Sequence, residues 1–107
     1  MAQFDVYRNP VAELRDEQPY VMQLQSSFIN SPEARIAVPI ARIKLGTKPM
    51  SKLNPEIQVQ GEQLVLDTLF ITSFDPSELR RPVANLRNDA DAIWSVPRLR
   101  SAWLLKS

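Results

Sequence analysis

The chain has 107 residues, 44% hydrophobic and 23% charged, the make-up of one globular domain over 1–107 rather than of a disordered or fibrous protein. Thirteen Lys and Arg against twelve Asp and Glu leave a net charge of +1, which argues for neither nucleic acid nor an anionic membrane as a direct partner. With no Cys and no His, thiol nucleophiles, disulfides, imidazole bases and Cys/His zinc sites are excluded; a catalyst would have to be built from Asp, Glu, Arg, Lys, Ser, Thr or Tyr, and the expectation is a protein that is not an enzyme and carries no metal or cofactor.

Met1–Tyr7 has neither a basic start nor an apolar run, and no stretch reaches membrane-spanning length, so a cytoplasmic protein is expected. Phe4 and Val6 alternate with polar neighbours as a half-buried first strand does, and the charged, proline-bounded stretch Arg8–Pro19 reads as a loop. In Tyr20–Gln25, Tyr20, Met22 and Leu24 share one face of a second strand and Gln23 and Gln25 the other. Asn30–Glu33 is turn chemistry. Arg35–Ala41 then places Ile36, Val38 and Ile40 on one face of a third strand, where Pro39 predicts an edge position or a bulge because proline has no N–H to give a ladder.

Lys44–Asn54, rich in Lys, Gly, Pro and Ser, reads as a surface loop. Glu56–Gln60 and Gln63–Asp67 flank Gly61-Glu62 as a hairpin, and Leu69, Phe70, Ile71 and Phe74 read as core. Asp75-Pro76-Ser77-Glu78 carries helix-start chemistry: an acidic cap, Pro at the first position and Glu at the third. From Val83 to Ser107 the alternation stops. Leu86, Ala90, Ile93, Trp94, Leu99, Ala102 and Trp103 recur at three- and four-residue steps, predicting a terminal helix broken or kinked at Pro97. The whole is mainly β: five or so short antiparallel strands and one C-terminal helix, a pattern that closes into a small barrel or a strongly bent sheet.

Gln3–Tyr7, the block Val21–Ser26 running through Ile29–Pro32 to Arg35–Ala41, Leu53-Asn54-Pro55 with the hairpin after it, and Pro82–Leu86 together resemble the CcdB family, the toxins of plasmid and chromosomal toxin–antitoxin pairs. The resemblance implies a small SH3-like barrel, of the kind shared with the MazF ribonuclease toxins, with a C-terminal α-helix. It also implies a homodimer. In that family the dimer binds the A subunit of DNA gyrase and traps the enzyme on cleaved DNA, and a CcdA-type antitoxin removes it. The family's contact is a tail Trp followed by Gly and a final hydrophobe. By resemblance the gyrase-binding residues here are Trp103 with Leu104 and Leu105, beside Ile29 and Phe28 of the loop. This chain ends Leu104-Leu105-Lys106-Ser107 instead, and carries Pro97 where the family's helix is unbroken.

Read without the resemblance, Trp103 either anchors the tail helix to its own barrel or offers an indole face to a partner's cation. Leu104 and Leu105 are an exposed apolar end or the cap of a dimer interface. Trp94 is packing. Arg98, Arg100 and Lys106 match a helix C-terminus, Arg80-Arg81 is a solvated turn, and the acid pair Asp16-Glu17 is solvation. An RNA-cleaving alternative on the same barrel would need Arg35 with an acid such as Asp67 and a hydroxyl. A further alternative is a CcdB-like protein whose altered tail no longer poisons gyrase.

Overall fold

A computed structural model describes residues 3–24, 35–43, 54–68, 70–97 and 99. Its strands are β1 (Asp5–Arg8), β2 (Tyr20–Gln23), β3 (Arg35–Arg42), β4 (Glu56–Val59), β5 (Glu62–Leu66), β6 (Thr72–Phe74) and β7 (Ala84–Asn85), followed by a short helix α1 (Ala90–Trp94). All pair antiparallel in one sheet of order β4-β5-β3-β2-β1-β7, with β6 also on β3, and the sheet curls into a nearly closed barrel. The two ends of that path, β4 and β7, face each other across a polar cleft of about 450 Å³ lined by Glu56, Gln58, Asn85 and Asp89 among others. Gln60 spans the seam, accepting from the Tyr20 hydroxyl at 3.4 Å and donating to the Val83 carbonyl at 3.4 Å. No helix among the described residues is long and apolar enough to cross a membrane.

The register explains the core. Val6, Met22 and Val38 lie opposite one another across β1, β2 and β3 and are all buried, and Leu24, Ile40, Ile57, Val59, Leu64 and Leu66 complete the barrel interior. On the opposite face Tyr7, Val21, Ala37 and Leu79 form a second buried cluster with Phe74 against it. The central strands are therefore covered on both sides. That overturns the half-buried reading of β1, where Asp5, Val6 and Tyr7 are all buried, and the outward placing of Gln23, which is buried and accepts from the Tyr7 hydroxyl at 3.3 Å.

Pro39 is not at an edge, because β3 is the most central strand, flanked by β2 on one side and β5 and β6 on the other. Leu24 donates its N–H to the Ile36 carbonyl, so by the antiparallel alternation the main-chain groups of residue 39 point away from β2. On that far side β5 leaves β3 after Leu66 and β6 joins only at Ala37. The Pro39 carbonyl accepts the Asp67 N–H at 2.9 Å, and the Asp67 carbonyl, which an N–H at 39 would have used, accepts from Phe70 at 3.3 Å. The missing donor thus falls at the one place in β3 where a ladder bond is not required.

The β4–β5 hairpin forms as expected, with the two-residue loop one position earlier, at Gln60-Gly61. Both loop residues have positive φ, 51° and 84°, as a primed turn requires, and Gly61 supplies the second without strain. Asp75 caps the 3₁₀ turn Pro76–Glu78 by accepting the Ser77 N–H at 2.9 Å, so the helix-start chemistry is real and a single turn long. The loop after β1 contains a 3₁₀ turn, Ala12–Leu14. Alternation does not stop at Val83: β7 pairs with β1, Asp5 opposite Asn85 and Val6 opposite Ala84, and only after a 3₁₀ turn at Arg87–Asp89 does α1 begin.

Candidate partner-binding surface

The C-terminal segment is built onto the barrel by its apolar positions. Leu86, Ile93, Val96 and Leu99 are buried in the interior cluster, with Ala90 and Trp94 packed against it, as the three- and four-residue spacing requires. The Trp94 ring lies 5.3 Å from Phe4, tilted by 56°, which makes Trp94 packing, as expected. Of the two alternatives the helix is broken and not kinked: α1 ends at Trp94, Ser95 is its C-cap, and the chain is helical again at Pro97 and Leu99. Leu99 donates to the Val96 carbonyl at 3.1 Å. Pro97 stands where a helix starts, at a position that needs no N–H, rather than in the middle of one.

The residues assigned to gyrase by resemblance, Trp103, Leu104, Leu105, Ile29 and Phe28, lie outside the described residues, as do the turn at Asn30–Glu33, most of the Lys44–Asn54 loop, and Arg98, Arg100 and Lys106. The fold does place the points from which they depart. Leu24, buried, precedes the segment with Phe28 and Ile29, and Leu99, buried, precedes the tail.

On the outside of the sheet the described residues form an apolar groove of about 560 Å³ that includes Val11, Leu14, Val21, Pro39, Phe70 and Phe74. Phe70 is 61% exposed, Leu14 46% and Val11 36%, so the rim shows aromatic and aliphatic carbon to solvent. Phe70 was expected in the core. It stands out because the chain turns between β5 and β6, the Phe70 N–H closing that turn on the Asp67 carbonyl.

The other wall is held by Asn9, a buried polar residue with its groups satisfied. Its Nδ2 donates to the Gln18 carbonyl at 2.8 Å, its Oδ1 accepts the Val11 N–H at 2.9 Å, and its own carbonyl accepts from Arg15 Nε at 2.6 Å. Asn9 N–H donates to Pro19 at 2.9 Å, closing the base of the loop. A buried amide used this way fixes a loop more firmly than packing alone. Its Asn–Pro–Val sequence carries turn chemistry, but nothing in its hydropathy marks a groove.

Arg42 ties the same loop to the barrel. Its N–H and Nε donate to the Glu17 and Asp16 carbonyls, each at 2.8 Å, and its Nη1 pairs with the Glu62 carboxylate. The Asp16-Glu17 pair therefore serves through its main chain. Asp67 is bonded through its main chain to Pro39, so its backbone lies four residues along β3 from that of Arg35, roughly 13 Å at strand spacing. The Asp75 carboxyl is held below its ordinary range by hydrogen bonds from the Ser77 side chain and N–H.

Residues 3–96 match the family model described as CcdB protein. No curated protein matches the chain. The matched span covers every strand among the described residues and α1, and stops before Pro97, leaving out Trp103, Leu104 and Leu105.

Proposed function

This chain belongs to the CcdB family, and from that premise we propose that it binds the A subunit of DNA gyrase and holds the enzyme on cleaved DNA until a cognate antitoxin removes it. Membership makes the chain the toxin half of a toxin–antitoxin pair. The gyrase target is the finer reading, and the family match over residues 3–96 is the observation that supports it.

The mechanism is binding and not bond-making: gyrase cuts the DNA, and the toxin stabilises the cut state by preferring it. Trp103, with Leu104 and Leu105, supplies an apolar contact in place of the family's Trp-Gly-hydrophobe ending, beside Ile29 and Phe28. An indole end of this kind makes a hot spot out of few residues. The apolar groove under Phe70 takes a segment of the CcdA-like antitoxin, because it offers carbon to a partner on the face of the sheet opposite the interior cluster that holds Ile93 and Leu99. The working form is a homodimer acting in the cytoplasm, where gyrase acts.

The test is a cleavage assay with purified protein, gyrase from the same organism, supercoiled plasmid and ATP, scored for linear DNA after the enzyme is denatured. Linear DNA rising with dose is the expected result. A folded protein that gives none overturns the gyrase reading, and RNA cleavage is then the next assay.

A further inference from the structure

Arg15 is half-buried in the loop that walls the groove under Phe70, and its Nε donates to the Asn9 carbonyl at 2.6 Å. Asn9 itself lines the groove, so the guanidinium is pinned at that end of it. The bond spends a single guanidinium donor. Both Nη groups, a fork suited to a carboxylate, have no partner among the described residues. The acids of the same loop do not supply one. Asp16 and Glu17 bond to Arg42 through their main-chain carbonyls, Glu62 takes the Arg42 Nη1, and Glu13 makes no ion pair among the described residues. Of the two arginines that tie this loop down, Arg42 therefore has its counter-ion and Arg15, among the described residues, does not.

We propose that Arg15 selects the segment that lies in this groove, by requiring a carboxylate beside the apolar side chains that meet Val11, Leu14 and Phe70. Its role rests on the groove being the antitoxin's site, and it specifies the occupant: an apolar stretch of the antitoxin that brings an Asp or Glu to the Asn9 end. A segment covering Val11, Leu14 and Phe70 drives water from the Asn9 end as well. A guanidinium left there with neither water nor a counter-ion is costly. A carboxylate removes that cost, whereas an amide or a methyl group leaves it standing, so the same cation that admits one segment rejects others. The Asn9 carbonyl holds the fork in place before the partner arrives, so the pairing loses little side-chain freedom.

The test uses the full toxin chain and the purified cognate antitoxin, the latter also as a set of variants with one Asp or Glu at a time changed to its amide. Titration calorimetry against the unmutated toxin should find one carboxylate whose loss weakens binding roughly tenfold or more. Against Arg15→Gln the unchanged antitoxin should fall by a similar factor. The amide variant should then lose little more, the coupling expected of two groups that touch. The antitoxin variants leave the toxin untouched, so they decide the matter even if Arg15→Gln loosens the loop that Arg15 ties to Asn9. If no single amide change weakens binding while Phe70→Ala does, the role of Arg15 is overturned and the groove stands as the antitoxin's site. If Phe70→Ala has no effect on antitoxin binding, the groove reading falls and this role falls with it. If the toxin alone associates and Phe70→Ala lowers its mass in sedimentation, a second copy is the occupant and the proposal is wrong.

Discussion

The Tyr7 hydroxyl donates to the Gln23 side-chain oxygen at 3.3 Å, and both residues are buried in the middle of the sheet. A polar pair in that position is stabilising only while both members are present. Tyr7→Phe should leave the ring's packing intact and cost about 1 kcal/mol, the ordinary worth of one buried hydrogen bond. Urea unfolding, read as a lower midpoint at unchanged slope, checks it.

The same pair shows where the sequence stops being a guide. An alternating Tyr-Val-Met-Gln-Leu segment implies one wet face, and Gln23 is the natural resident of that face. Whether that face is wet depends on what lies over it: Leu79, far along the chain, packs there with Tyr7, Val21 and Ala37, and no local pattern announces that. Pro39 misled for a related reason. Its rule is about whether a ladder bond is needed, and the gap between β5 and β6 that excuses it is a tertiary fact. By contrast the β4–β5 hairpin and the Asp75 cap were legible, because turn and cap chemistry are local. Of the surface, the groove is not legible, since an apolar run such as Leu69–Ile71 reads as interior until the turn that expels Phe70 is seen, and Trp103, singled out by resemblance alone, lies outside the described residues.

That expulsion makes Phe70→Ala informative. A core phenylalanine truncated to alanine costs about 3 to 5 kcal/mol. At 61% exposure Phe70 should instead change stability by no more than about 0.5 kcal/mol. Titration calorimetry with antitoxin should show affinity falling roughly thirtyfold or more, the signature of a hot spot.

Pro97 separates a kink from a start. In an uninterrupted helix, removing the proline would restore a backbone bond and stabilise by as much as ~3 kcal/mol. Here α1 has already ended and Pro97 begins the next helical stretch. Pro97→Ala should therefore destabilise, by about 0.4 to 1 kcal/mol, through the freedom it returns to the unfolded chain. The sign alone decides, from thermal melts, and far-UV circular dichroism should show no gain of helix.

Asp75 gives a pH signature. Hydrogen bonds from the Ser77 side chain and N–H favour its charged form and hold its folded-state pKa below the ordinary 3.8. A depressed folded pKa contributes stability that is fully present above the unfolded value and is lost as pH falls through the folded one. Asp75→Ala should accordingly lower the melting temperature at neutral pH, and the difference should shrink only in the acid range below pH 3.8. A difference that persists unchanged to the acid limit would show that the cap does not act through its charge.

The two tryptophans should part company under the same substitution. Trp94 is half-buried, its ring tilted against that of Phe4 and packed on the interior cluster, so Trp94→Ala should cost about 2 to 3 kcal/mol, somewhat less than a fully buried aromatic. If Trp103 is the gyrase contact, Trp103→Ala should shift stability by no more than about 0.5 kcal/mol and abolish linear DNA in the cleavage assay. Antitoxin binding, which the proposal assigns to the groove under Phe70, should survive. The reverse pattern, a stability loss at Trp103 with toxicity intact, would place that indole inside the protein's own packing and move the gyrase contact elsewhere. Because the matched family span ends at residue 96, this comparison bears on the part of the chain that family membership leaves open.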